Sequence, residues 1–155
     1  MIRGSHIRDP REIMRARGLR YSRPRAAILD FLAERDRHFR AEELHDALRQ
    51  RGERLSLSTV YLNLAVLREA GLVRELHGLG GEALYDSNVS PHHHLICKVC
   101  GAVADLPESS LNGVATQWHL KRHAERHSGW RVDEPSLDLK GTCPKCERSP
   151  VASGE

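Results

Sequence analysis

The chain has 155 residues, room for one ordinary domain or two small ones sharing a boundary. A hydrophobic share of 39% supports a packed core, no apolar run nears the roughly 20 residues of a membrane span, and the opening MIRGSHIRDP lacks the apolar stretch of a secretory signal. These features exclude a helical membrane protein and lead to the expectation of a cytoplasmic one, while a net charge of +3 is too small to argue for nucleic acid by itself.

The placement of the charge says more. Arg3, Arg8, Arg11, Arg15, Arg17, Arg20, Arg23 and Arg25 put eight arginines in the first 25 residues. Such a basic arm suits a phosphate backbone, where each neutralised phosphate releases a counterion; a solvated, frayed terminus is the plain alternative. Arg3 has no weight, because its Arg-Gly-Ser-His run resembles an expression tag.

From position 10 to 76 the pattern is a run of short helices. Arg11 to Arg17 forms the first, ended by Gly18. Ser22 followed by Pro24 starts the second, whose Ala27, Ile28, Phe31 and Leu32 make one apolar face. The third runs from about Arg40 to Arg51, and the fourth from about Leu57 to Ala70 behind a Ser56 cap. In the fourth, Val60, Leu64 and Leu67 form the inward stripe, while Ser58, Thr59, Tyr61 and Asn63 point elsewhere. Gly71 stops it. Leu72 to Leu76 then alternates as a strand, and Ala83 to Tyr85 completes a hairpin.

Helices followed by a two-stranded ribbon describe a winged helix, in which the polar face of the fourth helix enters the major groove. A small helical bundle with an incidental hairpin is the alternative. Residues 1–86 thus form an expected DNA-binding domain with its basic arm, and 87–91 (Ser-Asn-Val-Ser-Pro) a hinge. Residues 92–155 form a small α/β unit: strand His93–Cys97, strand Ala102–Leu106, a helix from about Ser109 to His127, and strand Val132–Leu139. The fold class is α+β.

Cys97-Lys-Val-Cys100 and Cys143-Pro-Lys-Cys146 are two C-x-x-C pairs separated by 42 residues. In a reducing compartment such pairs are metal ligands more readily than disulfides. Two of them make the closed tetrahedral Cys₄ set of structural zinc. Thioredoxin-like redox pairs and inert cysteines are the alternatives, disfavoured because neither pair opens a helix after a strand in a convincing βαβ unit.

Ten histidines are well above the usual share, and six lie between His92 and His127. On a strand, His92 and His94 project to one face and can share an ion, while His93 points away. Asp86, Asp105 and His38 stand at element ends, where each alone is more often a surface residue. His119, His123 and His127 repeat every four residues along the expected long helix; a solvated face is favoured over a local metal site.

Several motifs together resemble the ferric uptake regulator family: Ser-Leu-Ser-Thr-Val-Tyr-Leu-Asn-Leu at 56–64, Gly-Leu-Val at 71–73, His-His-His-Leu-Ile-Cys-Lys-Val-Cys-Gly at 92–101, and the final Cys-Pro-Lys-Cys. The resemblance spans roughly positions 10 to 146. It implies a homodimeric, metal-dependent transcriptional repressor that binds a near-palindromic double-stranded operator. Carried over, the regulatory ligands would be His38, Asp86, His92, His94 and Asp105, holding Fe²⁺ or Mn²⁺, with zinc on the four cysteines. The set of three histidines and two aspartates resembles the family's peroxide-sensing branch. The iron-sensing branch often has glutamate where Asp86 and Asp105 stand. In the peroxide-sensing branch Fe²⁺ reduces peroxide and a ligand histidine is oxidised, here His38 or His92. An iron, manganese, nickel or zinc uptake regulator is the alternative within the family. A further histidine that some members carry before the second cysteine pair is replaced by Glu-Pro-Ser at 134–136. The ligand set also resembles a mononuclear non-haem iron enzyme, but such an enzyme has no need of Ser58, Thr59, Tyr61 and Asn63 on a helix. Arg15 and Arg17 would then meet phosphates.

Overall fold

In the computed structural model, residues 9–34, 38–107, 109, 117–133 and 135–148 are described. The chain divides into two compact units, residues 1–89 and 90–155. Arg3 and Arg8 of the basic arm, and positions 110–116 of the expected long helix, lie outside the described residues.

In the first unit each helix begins on a side-chain cap. Asp9 accepts from the Arg11 amide ahead of α1 (Pro10–Ala16), and Ser22 accepts from the Arg25 amide ahead of α2 (Arg23–Ala33). The Glu43 carboxylate reaches back to the Arg40 amide at 2.7 Å to start α3 (Ala41–Gln50). Ser56 caps α4 (Leu57–Glu69) by accepting from the Thr59 amide. The ribbon is β2 (Arg74–His77) and β3 (Ala83–Asp86). A two-residue strand, β1 (His38–Phe39), adds to β3, giving an antiparallel sheet in the order β1-β3-β2. Sequence periodicity has no purchase on β1, since two residues cannot display an alternation.

Met14, Ile28, Leu44, Leu48, Val60, Leu64, Leu67 and Val73 are fully buried between these helices. Phe39 joins sheet to helices, its ring 5.3 Å from that of Phe31 and 5.9 Å from that of Tyr85. Burying one such aliphatic side chain contributes about 1.5–3 kcal/mol. The stripe Val60, Leu64, Leu67 therefore fixes which face of α4 is left for other work.

The second unit contains β4 (His92–Cys97), β5 (Val103–Pro107), α5 (Gln117–Ser128), β6 (Asp138–Gly141) and α6 (Pro144–Arg148). Its sheet has the order β5-β4-β6, antiparallel between β4 and β5 and parallel between β4 and β6. Central β4 is buried at His92, His93, His94, Ile96 and Cys97. One expectation shifts here. The strand foreseen over Val132–Leu139 is instead Asp138–Gly141. Pro135 has no amide to donate, so the ladder forms only beyond it. The second cysteine pair stands at the start of a helix after β6, but no strand follows α6 among the described residues, so no βαβ unit forms there. Pro144, in the first turn of α6, is preset for helical φ.

Candidate metal centres and nucleic-acid face

The four cysteines meet at one end of the second sheet. Cys97 closes β4, and Cys100 follows in a turn where the Gly101 amide donates to the Cys97 carbonyl at 2.9 Å. The Lys98 amide donates to the Gly141 carbonyl at 2.7 Å, which brings the end of β6 beside that turn. The Cys143 amide then donates to Cys97 Sγ at 3.3 Å. All four sulfurs lie within 4.8 Å of one another. Cys100 Sγ and Cys143 Sγ are 3.8 Å apart. Thiolates about 2.3 Å from a tetrahedral zinc ion stand about 3.8 Å apart, whereas a disulfide would need about 2.05 Å. The geometry fits zinc and rejects a pair of disulfides.

Thiol acidity supports the same conclusion. The Cys97 thiol is drawn down to about 6, first by the Cys100 amide and then by that of Cys143, both favouring the thiolate. Cys143 is also lowered, chiefly by the Cys146 amide. Cys146 is pushed up to about 12, first by its hydrogen bonds to the Cys100 and Cys143 sulfurs, which favour the thiol, and then by burial.

The other candidate ligands fall into two sets, one in each unit. In the first unit, His38 on β1 stands directly across from Asp86 on β3 in the antiparallel ladder. His38 Nε2 lies 3.9 Å from Asp86 Oδ2, and Asp86 is completely buried. Its other oxygen accepts from the Asn88 amide at 2.8 Å. In the second unit, His92 and His94 share a face of β4, their Nε2 atoms 2.9 Å apart. Asp105 on β5 is the ladder partner of His94, and its Oδ1 lies 3.4 Å from His92 Nε2. The Ser90 carbonyl lies 2.7 Å from His92 Nδ1; a carbonyl only accepts, so Nδ1 carries the proton and the lone pair sits on Nε2. Two nitrogens each about 2.1 Å from one ion and at right angles to one another lie about 3 Å apart. Two imidazoles and a carboxylate that converge in this way suit a divalent cation of intermediate hardness. His93, as expected, points away: it is fully buried, and its Nδ1 accepts from the Leu137 amide at 3.2 Å.

On α4, Ser58 and Tyr61 are exposed. The Tyr61 hydroxyl donates to Glu42 Oε1 on α3 at 2.7 Å, which lowers the acidity of Tyr61 and raises that of Glu42. Thr59 and Asn63 are half-buried and serve their own helix. Thr59 meets the Ser56 hydroxyl at 2.8 Å, and the Asn63 amide donates to the Thr59 carbonyl at 2.8 Å. Leu62, 69% exposed between Tyr61 and Asn63, belongs to the same face. A search for polar residues passes over it, although its place outside the Val60–Leu64–Leu67 stripe marks it. Arg15 is exposed on α1. Arg17 is exposed as well, and its guanidinium donates to the Ala70 carbonyl at 2.6 Å.

His119, His123 and His127 lie along exposed positions of α5, and the rings of His123 and His127 stack with centroids 6.1 Å apart. They are not part of a three-ligand cluster among the described residues.

A winged-helix unit followed by a metal-binding α/β unit defines a metal-binding transcription regulator. Comparison with known proteins gives the family: residues 16–130 match the ferric uptake regulator family model, and the chain belongs to that family. Its members are DNA-binding regulators and not enzymes. The chain is similar to the peroxide operon regulator of Bacillus subtilis, with 32% identity covering 92% of this chain and 94% of that protein. The Vibrio cholerae ferric uptake regulator structure is 31% identical with a TM-score of 0.69, covering 87% of this chain and all of that one. A Pseudomonas aeruginosa ferric uptake regulator structure with manganese is 28% identical with a TM-score of 0.71, covering 89% of this chain and 99% of that one. No helix among the described residues is long and apolar enough to cross a membrane.

Proposed function

We propose that this regulator is a peroxide-responsive repressor. In this reading it binds a near-palindromic operator as a homodimer when Fe²⁺ or Mn²⁺ is held jointly by His38, Asp86, His92, His94 and Asp105. The observation that carries it is the pair of buried imidazole nitrogens 2.9 Å apart beside a carboxylate. The all-aspartate acidic ligands and the 32% identity to a protein named as a peroxide operon regulator support the peroxide branch. Because His38 and Asp86 belong to the first unit and the other three to the second, one shared ion would select a single inter-unit arrangement from an ensemble. A zinc ion on Cys97, Cys100, Cys143 and Cys146 would be structural. The half-exposed Leu95 and Leu139, on neighbouring strands of one sheet, suit burial against a second copy. Ser58, Tyr61 and Leu62 would read base edges, with Leu62 suited to a thymine methyl, while Thr59 and Asn63 brace that face. Arg15 would meet phosphate.

The 31% identity to the Vibrio cholerae ferric uptake regulator favours a second reading, a metal-uptake regulator with the same ligands. The test begins with sites selected from a random duplex pool by the Mn²⁺-loaded protein. His38→Ala and Asp105→Ala should keep zinc and fold but lose Mn²⁺-dependent binding to those sites. Wild-type metal dependence in either variant removes that residue from the regulatory set. Release of DNA by dilute peroxide from the Fe²⁺ form but not the Mn²⁺ form separates the two readings.

A further inference from the structure

Asp138 opens β6 and is the parallel-ladder partner of His94. Its Oδ1 lies 3.4 Å from His94 Nδ1, on the side of the ring away from His92. Its backbone place is held firmly, because the preceding residue is clamped at both ends. The Leu137 amide donates to His93 Nδ1 at 3.2 Å, and the Leu137 carbonyl accepts from the His94 amide at 3.0 Å. The triple-histidine strand thus fixes the start of β6 and sets a carboxylate against its own third histidine.

The arrangement parallels, as a 3.4 Å ion-pair contact rather than a 2.7 Å hydrogen bond, what Ser90 does for His92. In both cases an oxygen that only accepts faces Nδ1, so each ring can keep its proton on Nδ1 and, with a cation between the two Nε2 atoms, offer it the Nε2 lone pair. Free neutral imidazole favours the opposite tautomer, with the proton on Nε2, where it would block a metal. We propose that Asp138 is a positioning residue: it holds His94 in the Nδ1–H tautomer and ring orientation that present Nε2 to the regulatory ion. The inference rests on the reading of His94 as a regulatory ligand. Carboxylate–histidine–metal relays of this kind are typically worth 10- to 100-fold in metal affinity.

The test uses the full chain with its zinc in place and Mn²⁺ as the probe, followed by electron paramagnetic resonance. Asp138→Ala should weaken Mn²⁺ binding about 10- to 100-fold without loss of zinc or a lower melting temperature. Asp138→Asn keeps the strand and an acceptor oxygen, and should recover part of that loss. In Mn²⁺-free protein, long-range nitrogen–proton NMR should find a proton at His94 Nδ1 in the wild type and a smaller share of Nδ1–H in Asp138→Ala. A purely structural role would not move that signature. Unchanged Mn²⁺ affinity and an unchanged tautomer in Asp138→Ala overturn the proposal, as does weakening seen only in variants that lose zinc or melt early. His94→Ala separates the two layers. If it binds Mn²⁺ like the wild type, the regulatory-site reading itself fails; if it loses Mn²⁺ while Asp138→Ala does not, only the positioning role fails.

Discussion

The guanidinium of Arg17 donates to the main-chain carbonyl of Ala70, a 2.6 Å bond that ties the end of α1 to the end of α4. Ala70 is the residue after the last turn of α4, where carbonyls lack helical partners and a positive charge complements the helix dipole. The next residue, Gly71, has a φ of +68°, and a Cβ there would meet Arg17 Nη1 at 3.2 Å. The bond is solvent-exposed, so its loss in Arg17→Ala should cost only about 1 kcal/mol, visible as a lowered melting temperature. Arg15→Ala should leave melting unchanged but flatten the salt dependence of DNA binding. If Arg17→Ala melts like the wild type and Arg15→Ala loses no salt dependence, the division between the two arginines is wrong.

The Tyr61–Glu42 bond joins α4 to α3 in the middle of the proposed groove-facing surface. Because Tyr61 is raised above its ordinary 10.0, the bond's contribution is complete below that value and is lost as pH climbs through the higher folded one. Glu42 is lowered from 4.5, so its contribution is present above that value and fades as pH falls through the lower folded one. Ultraviolet titration of the phenols should find Tyr61 and Tyr85 both ionising late, Tyr85 through burial, with Tyr61 moving back towards its ordinary range in Glu42→Gln. That variant should also relax base preference by freeing the Tyr61 side chain. No change in either measurement would mean that the contact is not held in solution.

Why some of this was legible in sequence, and some not, follows from particular residues. Ser22-Arg-Pro24 and Ser56 announce helix starts because capping is local chemistry, and α2 and α4 begin where those residues stand. Arg17 shares its arginine-rich neighbourhood with Arg15, and only a contact 53 residues away reveals that it also caps a helix end. His92 and His94 share a face by strand periodicity alone, but Asp138 meets His94 through a parallel crossover that no local pattern encodes. Strand β6 is not legible for the same reason: its register is set by partners in β4 rather than by alternation within 132–139.

The cysteine cluster gives a sharp expectation for metal removal. Cys97 and Cys143 belong to different strands' ends, and the tail from β6 through α6 is attached to the sheet by that cluster and one parallel ladder. Cys97→Ser or Cys143→Ser should lose the tightly held zinc and melt early, as should the wild type under a strong chelator. Zinc binding is worth on the order of 10 kcal/mol in small metal-folded domains, so the loss should be large. A Cys97→Ser protein with full zinc content and unchanged melting would show that the four sulfurs do not act together.

Hydrogen peroxide should act through the regulatory ion. When bound at the proposed site, Fe²⁺ supplies the means to reduce hydrogen peroxide next to the imidazoles. Overall, peroxide gives one oxygen atom to a carbon of a ligand imidazole and its other oxygen leaves as water, so the balance closes on the protein. His92 and His38 are the proposed targets, His92 nearly buried and with its Nε2 aimed at the cluster. Burial helps here, since an oxidant formed inside meets a side chain before it meets bulk water. An oxidised ring donates less well to a metal, and the tie between the two ligand sets is then lost along with DNA binding. Mn²⁺ does not readily run this reaction, so the manganese form should repress yet resist peroxide. Mass spectrometry of the Fe²⁺ form after dilute peroxide should find one added oxygen on a peptide containing His38 or His92, absent from the Mn²⁺ form. DNA release without that mark, or an Fe²⁺ form that ignores peroxide altogether, would make this chain a metal-uptake regulator.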